Sequence, residues 1–131
     1  MAVSDPGGIT CIIVDYPASE SITDGYPVCI KYTDNRGVVC LANNTDLTQY
    51  GINRIFGIAI NSASINEIVS VMILGEVVIR NPDTVCFTDN DVFIGNKVLT
   101  QTAPTTGYSL IIGYPIAPTI LFVKPSVPVL L

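Results

Sequence analysis

The most reactive side chains of this 131-residue chain are four cysteines. They are Cys11, Cys29, Cys40 and Cys86. None of them forms a Cys-x-x-Cys pair and the chain has no histidine, so a structural zinc site is not expected. Each cysteine lies among Val, Ile, Leu or Phe, a setting typical of reduced thiols that act as small apolar side chains in strands. A disulfide within the Cys29/Cys40 hairpin stays open as an alternative, because strand register decides whether the two sulfurs meet.

Other kinds of catalytic chemistry have no counterpart in the sequence. Without histidine, a Ser-His-Asp or Cys-His nucleophile system cannot form within one chain, and no glycine-rich phosphate loop occurs. No pair among the eleven carboxylates has a spacing that implies a glycosidase, and tryptophan is absent. The cluster of Asn81, Asp83, Asp89 and Asp91 offers oxygen ligands for calcium, but turn formation is the favoured interpretation because the EF-hand Gly and Glu are missing. We therefore predict a protein that is not an enzyme and that has no cofactor or metal.

The elements that position these residues are predicted to be strands. Residues 27–32 alternate between two faces, which is the period of a half-buried strand. Residues 33–37 predict a hairpin with Gly37 in a left-handed conformation, and Gly95-Asn96 predicts a second, two-residue turn. Gly57 lies inside a strand pattern, which favours a bulge or a close backbone approach.

Two parts of the chain repeat the same order of elements. Residues 27–30 correspond to 91–94, 37–39 to 96–99, 55–60 to 111–116, and 68–71 to 120–123. Each part contains a hairpin, a long loop, a glycine-bearing strand and a closing strand. We therefore predict an all-β fold, a small β-barrel or sandwich built from two similar hairpin-plus-strands units. Its boundaries are an N-terminal arm (1–9), a single β domain (10–124) and an extended C-terminal tail (125–131), because prolines and glycines oppose regular structure at both ends.

The composition predicts a surface that contacts other subunits. Apolar residues make up 49% of the chain and charged residues only 13%, against about a quarter charged in typical proteins. Much apolar surface would remain exposed in an isolated chain. The net charge is −5 and the six basic residues are scattered, which disfavours nucleic-acid binding. No uninterrupted apolar run reaches the roughly 18 residues of a membrane span, and no signal-peptide pattern opens the chain, so synthesis in a cytosol is expected.

Residues 91–113, followed by 117–123, carry a resemblance to a known kind of module. A strand pair leads into the loop Leu99–Gly107, which reads Leu-Thr-Gln-Thr-Ala-Pro-Thr-Thr-Gly. This arrangement resembles a module of bacteriophage virion proteins, and the similarity extends over residues 18–124. Proteins of this kind are capsid decoration (cement) proteins or terminal domains of phage fibres. The resemblance carries over no catalytic residue.

The resemblance implies a structural virion protein that is made in the host cytoplasm. It would decorate the capsid exterior as a homotrimer bound to the major capsid protein, and it would bind neither nucleic acid nor membrane. The alternative is a tail-fibre or spike domain for host attachment, for which Tyr50, Tyr108 and Tyr114 are the candidate glycan-binding aromatics. Packing in a core or an interface is the favoured interpretation of these three tyrosines. Both terminal segments are predicted to contact partners, because they are extended and carry apolar side chains. For the C-terminal tail, packing on its own barrel stays open as an alternative. The predicted contact residues are Val3, Pro6, Pro125, Val127, Val129, Leu130 and Leu131.

Overall fold

The computed structural model describes residues 2–3, 11–48, 51–80 and 86–131, and all regular elements in these ranges are β-strands. The predicted all-β class is therefore confirmed. The strands are β1 Ala2–Val3, β2 Cys11–Pro17, β3 Pro27–Thr33, β4 Arg36–Leu41, β5 Ile55–Ala59, β6 Ile68–Val78, β7 Val92–Ile94, β8 Leu99–Thr100, β9 Tyr108–Ser109, β10 Ile111–Ala117, β11 Ile120–Val123 and β12 Val129–Leu130.

The order of strands in the main sheet confirms the predicted repeat. The sheet runs β4-β3-β5-β6-β11-β10-β7-β8, and each neighbouring pair is antiparallel. The first unit, β4-β3-β5-β6, is thus followed by the second unit in reversed order, β11-β10-β7-β8. The two closing strands, β6 and β11, pair with each other at the centre. Strand β2 adds to β6, and β1 adds to β2.

A glycine occupies the same place in the strand that pairs with the closing strand of each unit. Gly57 of β5 pairs with Val28, and Gly113 of β10 pairs with Val92. A Cβ atom on Gly57 would lie 2.5 Å from the carbonyl oxygen of Met72, and one on Gly113 would collide with the carbonyl oxygen of Phe122. Only glycine therefore lets the closing strand approach this closely. The close backbone approach predicted at Gly57 is confirmed.

The closing strands match with a different offset from the predicted one. Ile58 pairs with Met72 and Tyr114 pairs with Phe122, so Met72 is the counterpart of Phe122. The predicted alignment of 68–71 with 120–123 is therefore wrong by two residues. A shift of two leaves each side chain on the same face, because the strand period is two, and for that reason the sequence pattern did not reveal it.

Together with β2, the strands of the first unit close into a small barrel. Strand β2 pairs with β6, and the ring continues through β5 and β3 to β4. It closes where Ala18 bridges to Val39, whose carbonyl accepts a 2.8 Å hydrogen bond from the Ser19 amide. One buried cluster fills this first unit: Ala18, Ile22, Val28, Ile30, Val39, Ala59, Ala63, Val69 and Val71.

Both predicted hairpin turns differ in detail from the structure. The left-handed residues of the first turn are Asp34 and Asn35, with φ of 53° and 62°. Gly37 instead lies in β4 under the ring of Tyr16, where a Cβ atom would be 2.5 Å from Cε1. The prediction for Gly37 was therefore wrong, because its small size serves a contact with a distant strand rather than the turn.

The second turn is longer than predicted. Strand β7 ends at Ile94 and β8 begins at Leu99, so four residues connect them. The amide of Gly95 donates a 2.8 Å hydrogen bond to the carbonyl of Val98. The carbonyl of Gly95 accepts a 3.1 Å bond from the amide of Asn44 in the first unit. The prediction of a two-residue turn was wrong, since this loop is shaped by a partner 51 positions away in the sequence.

The second unit packs on the outward face of the first barrel. Buried side chains of both units form one cluster: Cys29, Cys40, Ala42, Phe56, Ile58, Met72, Val77, Ile79, Val92, Ile94, Tyr108, Leu110, Ile112, Leu121 and Val123. Strand β6 connects the two units, pairing with β2 as far as Leu74 and with β11 from Gly75 onward. Gly75, where the partner of β6 changes, has a φ of 127°, a backbone conformation that side-chain-bearing residues rarely adopt.

The C-terminal tail runs extended beside its own domain. The amide of Ser126 donates to the carbonyl of Ile111 at 2.8 Å, and β12 pairs with β9. The last hydrogen bond runs from the amide of Leu131 to the carbonyl of Gly107, at 3.0 Å. The tail thus continues the β10/β11 hairpin. At the other end of the chain, β1 pairs with Cys11 and Ile12, while residues 4–10 lie outside the described ranges.

Candidate functional site

Exposed apolar side chains are concentrated at the C terminus. Thirteen large apolar residues in the described ranges are exposed. They are Tyr32, Leu47, Ile55, Ile65, Ile68, Val78, Val98, Tyr114, Ile116, Val127, Val129, Leu130 and Leu131. Four of them fall within the last five residues, and Val127 has the largest exposed fraction, 82%. We call Val127–Leu131 the apolar tail.

Strand β12 of the apolar tail is uncovered on both faces. Successive strand residues point to opposite faces of a sheet, so a strand on a protein surface normally buries one of each pair. Val129 is 59% exposed and its neighbour Leu130 is 63% exposed, so neither face is covered. The backbone is nevertheless held by β9. The arrangement is an ordered strand that presents apolar side chains to solvent, and such a strand is suited to binding a partner.

Of the predicted contact residues, the structure brings together Val127, Val129, Leu130 and Leu131 on the apolar tail. Pro125 lies just before it and is only partly exposed. Val3 belongs to β1, which pairs with β2 rather than with the tail. Pro6 lies outside the described residues. The predicted contact set is therefore one C-terminal surface, with Val3 on a different strand pair.

The tyrosines proposed for glycan binding do not form a common groove. Tyr108 is buried, its ring centre lies 6.1 Å from that of Phe56, and its hydroxyl donates a 2.8 Å hydrogen bond to the carbonyl of Asn43. Burial raises the pKa of this hydroxyl. Tyr114 is exposed and packs beside Phe122, and Tyr50 is outside the described residues. Core packing, the favoured interpretation of these tyrosines, is therefore confirmed for Tyr108, which lies in the core cluster shared by the two units.

A surface groove that the sequence pattern did not indicate lies beside the end of β3. Its volume is about 640 Å³, and its lining residues are Ile30, Lys31, Tyr32, Thr33, Asn53, Arg54 and Ile55. Ile30 and Ile55 are the last paired residues of β3 and β5, so β3 continues along the groove without β5 beside it. Tyr32 and Ile55 supply exposed apolar surface, while Lys31 and Arg54 supply positive charge. The alternation of residues 27–32 did predict the strand, but not that Tyr32 lies beyond the end of the pairing with β5.

Cys29 and Cys40 meet in the interior. The register pairs them directly across β3 and β4, and their sulfur atoms are 3.1 Å apart with both side chains buried. Both are free thiols, as are the partly buried Cys11 and the exposed Cys86. Strand register, which the sequence could not supply, therefore places the two thiols in contact, and they are not joined by a disulfide in this structure.

Arg54 supplies positive charge next to this thiol pair. Its Nη1 atom lies 3.7 Å from the sulfur of Cys29, 4.0 Å from that of Cys40, and 2.9 Å from Oδ2 of Asp46. The hydrogen bond from the Cys29 thiol, together with the charges of Lys31 and Arg54, lowers the pKa of Cys40 to about 7. The pKa of Cys29 is raised, because it shares that hydrogen bond and is buried. The pair therefore loses one proton readily and retains the other.

Asp46 is held in its charged form. Its partial burial alone would raise the pKa of the carboxyl group. Hydrogen bonds from the backbone and hydroxyl of Thr48, together with the charge of Arg54, outweigh burial and hold the pKa below its usual value. Arg54 and Asp46 therefore form a charged pair beside the buried thiols.

Comparison with protein families and with curated proteins assigns no function to the chain. No protein-family model matches the chain, and no curated protein matches it. In the described part of the chain, no helix has the length and apolar character needed to cross a membrane, and no group of three or more Cys, Asp or Glu side chains is placed to hold a metal ion. A function must therefore be argued from the apolar tail, the groove and the thiol pair.

Proposed function

We propose that this protein is a structural component of a bacteriophage virion that decorates the capsid and stabilises it by binding the major capsid protein. The observation that carries the proposal is the apolar tail, an ordered strand exposed on both faces. The charge-poor composition and the resemblance of residues 18–124 to phage virion modules support the same function.

Burial of the apolar tail would supply binding free energy. Fully burying one Val or Leu side chain contributes about 1.5–3 kcal/mol. The four tail side chains are between 58% and 82% exposed, so most of that area is still available. Their burial would contribute on the order of 5 kcal/mol per subunit. Because hydrogen bonds to residues 107–111 already hold the tail backbone, binding costs less conformational entropy than ordering a free peptide would.

A trimer would multiply this contribution. Three copies around an axis form a closed ring of identical head-to-tail contacts. Contacts of standard size bury on the order of 1,600 Å² each. Simultaneous binding by three linked tails strengthens attachment to the shell beyond that of one tail. The proposal is therefore a homotrimer on the capsid exterior, with the tails directed toward neighbouring capsid subunits.

The test is the copy number and position of the protein in purified particles. Quantitative mass spectrometry and cryo-electron microscopy of particles assembled from the encoding genome should find several hundred copies arranged around capsid symmetry axes. A few copies confined to the tail structure would contradict capsid decoration and favour the fibre alternative.

Variants of the apolar tail test the proposed contact. Replacing Val127, Val129, Leu130 and Leu131 together by serine keeps the length and backbone of the tail, and should reduce occupancy on particles at least tenfold while leaving the unfolding midpoint nearly unchanged. A matched control replaces Val98 and Ile116, two exposed apolar residues elsewhere on the surface, by serine. Equal occupancy of tail and control variants would contradict the assigned surface.

The groove beside β3 favours a second candidate, a fibre or spike domain that binds host glycans. Exposed Tyr32 offers a ring for stacking on a sugar, and Lys31 and Arg54 offer charge for an acidic one. A glycan array read with the wild type and with Tyr32→Ser tests this function, with Tyr114→Ser as the control. Binding that is lost only in Tyr32→Ser would support attachment, whereas no binding to any glycan would count against it.

A further inference from the structure

We propose that Cys29 and Cys40 form a redox site that hydroperoxides convert into an intramolecular disulfide across β3 and β4. The site is the pair of buried sulfur atoms beside Arg54, and its substrate class is a small hydroperoxide such as hydrogen peroxide. The inference rests on the geometry of the first unit alone and does not depend on the proposed virion function.

The backbone already satisfies the geometric requirement for the bond. Residues directly opposite each other on antiparallel strands have Cα atoms about 4.5–5.5 Å apart. Disulfides occur at Cα separations of about 4.4–6.8 Å. The two sulfur atoms are 3.1 Å apart, so they need only small side-chain rotations to reach the bonded distance of about 2 Å. No movement of either strand is required.

The charge near the pair favours the reactive thiolate. The guanidinium of Arg54 lies within 4.0 Å of both sulfurs. Its Nε atom is buried and has no hydrogen-bond partner among the described residues, so a negative charge nearby would stabilise this cation. Lys31 adds a second positive charge that lowers the pKa of Cys40. A thiolate is the nucleophile in thiol oxidation, so Cys40 is assigned as the attacking residue.

The reaction balances with hydrogen peroxide as the oxidant. The Cys40 thiolate attacks one peroxide oxygen, so an S–O bond forms, the O–O bond breaks, and the leaving hydroxide takes a proton to become water. The product is a sulfenic acid on Cys40. The sulfur of Cys29 then attacks the Cys40 sulfur, so the S–S bond forms, the S–O bond breaks, and hydroxide leaves with the Cys29 proton as a second water. Two thiols lose two electrons, and one peroxide is reduced to two waters.

Burial restricts which oxidants reach the pair. Cys29 is 2% exposed and Cys40 is 5% exposed. A bulky disulfide such as oxidised glutathione must bring its sulfur atoms into line with the attacking thiolate, whereas hydrogen peroxide is close to the size of water. We therefore expect peroxide at a given concentration to oxidise the pair at least tenfold faster than oxidised glutathione does. Equal rates with both oxidants would contradict the assignment to hydroperoxides.

The test uses the full chain with Cys11 and Cys86 replaced by serine, so that only the proposed pair remains. The reduced protein is treated with hydrogen peroxide, and free thiols and intact mass are then measured under denaturing conditions. We expect the loss of both thiols, a mass decrease of about 2 Da for the two hydrogens removed, and full reversal by dithiothreitol. Trypsin should then release a single linked species that joins residues 1–31 to 37–54.

Several results would overturn the proposal. These are two persistent thiols, mass gains of whole oxygen atoms without a linked peptide, or disulfide-linked dimers on a non-reducing gel. Cys40→Ser in the same background should leave Cys29 reduced under conditions that oxidise the pair. Oxidation of Cys29 in that variant at the rate of the intact pair would contradict the role of Cys40 as the attacking thiol.

Charge variants separate a redox site from two thiols that are merely close. Arg54→Gln should slow disulfide formation on the order of tenfold, since each unit of pKa changes the thiolate fraction by about that factor. The matched control is Arg36→Gln, which removes an exposed cation at the far end of the same hairpin. Lys31→Gln provides a second variant that leaves the Arg54–Asp46 pair intact. It should slow disulfide formation at least as much, because the charge of Lys31 lowers the pKa of Cys40 more than that of Arg54 does. Equal rates in all of these variants would show that the assigned charge has no role.

Discussion

Replacing Tyr108 by Phe tests how firmly the two units are joined. Tyr108 follows the long loop of the second unit, and its hydroxyl donates a 2.8 Å hydrogen bond to the carbonyl of Asn43, which lies just after β4 of the first unit. The substitution removes this bond and keeps the ring that packs beside Phe56. It therefore isolates one polar contact between the units within an otherwise unchanged core.

The expected loss in the free energy of unfolding depends on which hydrogen bonds the Asn43 carbonyl keeps in the variant. A buried acceptor left with no donor costs about 1–3 kcal/mol, whereas a typical hydrogen bond contributes about 1 kcal/mol. The carbonyl of Asn43 also accepts a 3.1 Å bond from the amide of Asp46, so it keeps one donor in the variant. We therefore expect a loss of about 1 kcal/mol in the free energy of unfolding. For a chain of this length that corresponds to a decrease of roughly 4 °C in the melting temperature.

Urea titrations followed by tyrosine fluorescence and by far-ultraviolet circular dichroism would measure this change. Tyr114→Phe is the matched control, because Tyr114 is exposed on the second unit, and its free energy of unfolding should stay within about 0.5 kcal/mol of the wild type. Both probes should report one shared transition. A loss below 0.3 kcal/mol in Tyr108→Phe, or separate transitions for the two probes, would refute the reasoning that this bond joins two units which unfold together.

Three further predictions concern the strand contacts, the charged pair and the thiols. Gly113→Ala should lower the free energy of unfolding by about 3 kcal/mol or more, because the added methyl group collides with backbone. Gly95→Ala should cost less than about 1 kcal/mol, because the nearest heavy atom to its methyl group would be 3.2 Å away. Urea midpoints measure both changes. The folded-state pKa of Asp46 is depressed, so its contribution to stability is present above its unfolded pKa of about 4 and is lost as the pH falls through the lower folded value. Asp46→Asn should therefore reduce the loss of unfolding free energy on acidification. An unchanged acid dependence in this variant would contradict the reasoning. Oxidation of the Cys29/Cys40 pair should raise the free energy of unfolding by about 3 kcal/mol from closure of a 12-residue loop, and no gain in urea midpoint would argue for strain in the bond.

The local pattern of the sequence was sufficient to predict the class of fold. Residues 27–32 alternate with period two, and they form β3. The likeness between 27–30 and 91–94 reflects two units with the same order of strands, in which Val28 and Val92 face equivalent glycines. These features were predictable because the period of a strand and the order of elements are properties of neighbouring residues.

The same local pattern could not identify partners from distant parts of the chain. Gly37 was assigned to a turn because glycine tolerates positive φ, but its small size serves the ring of Tyr16. For Tyr108 the sequence left core packing and glycan binding as alternatives, and only the packing of the second unit on the first shows that its ring is buried beside Phe56. In both cases the deciding contact joins residues far apart in the sequence.

The sequence by itself therefore determined strands, their repetition and an extended tail rich in apolar residues. Only the tertiary structure decided that Cys29 lies against Cys40 beside Arg54, and that Val129 and Leu130 are both exposed. The physical reason is that side-chain alternation specifies which face a residue occupies, while register and the curl of the sheet specify what that face meets. A shift of two residues preserves the alternation and changes every contact across the strand pair.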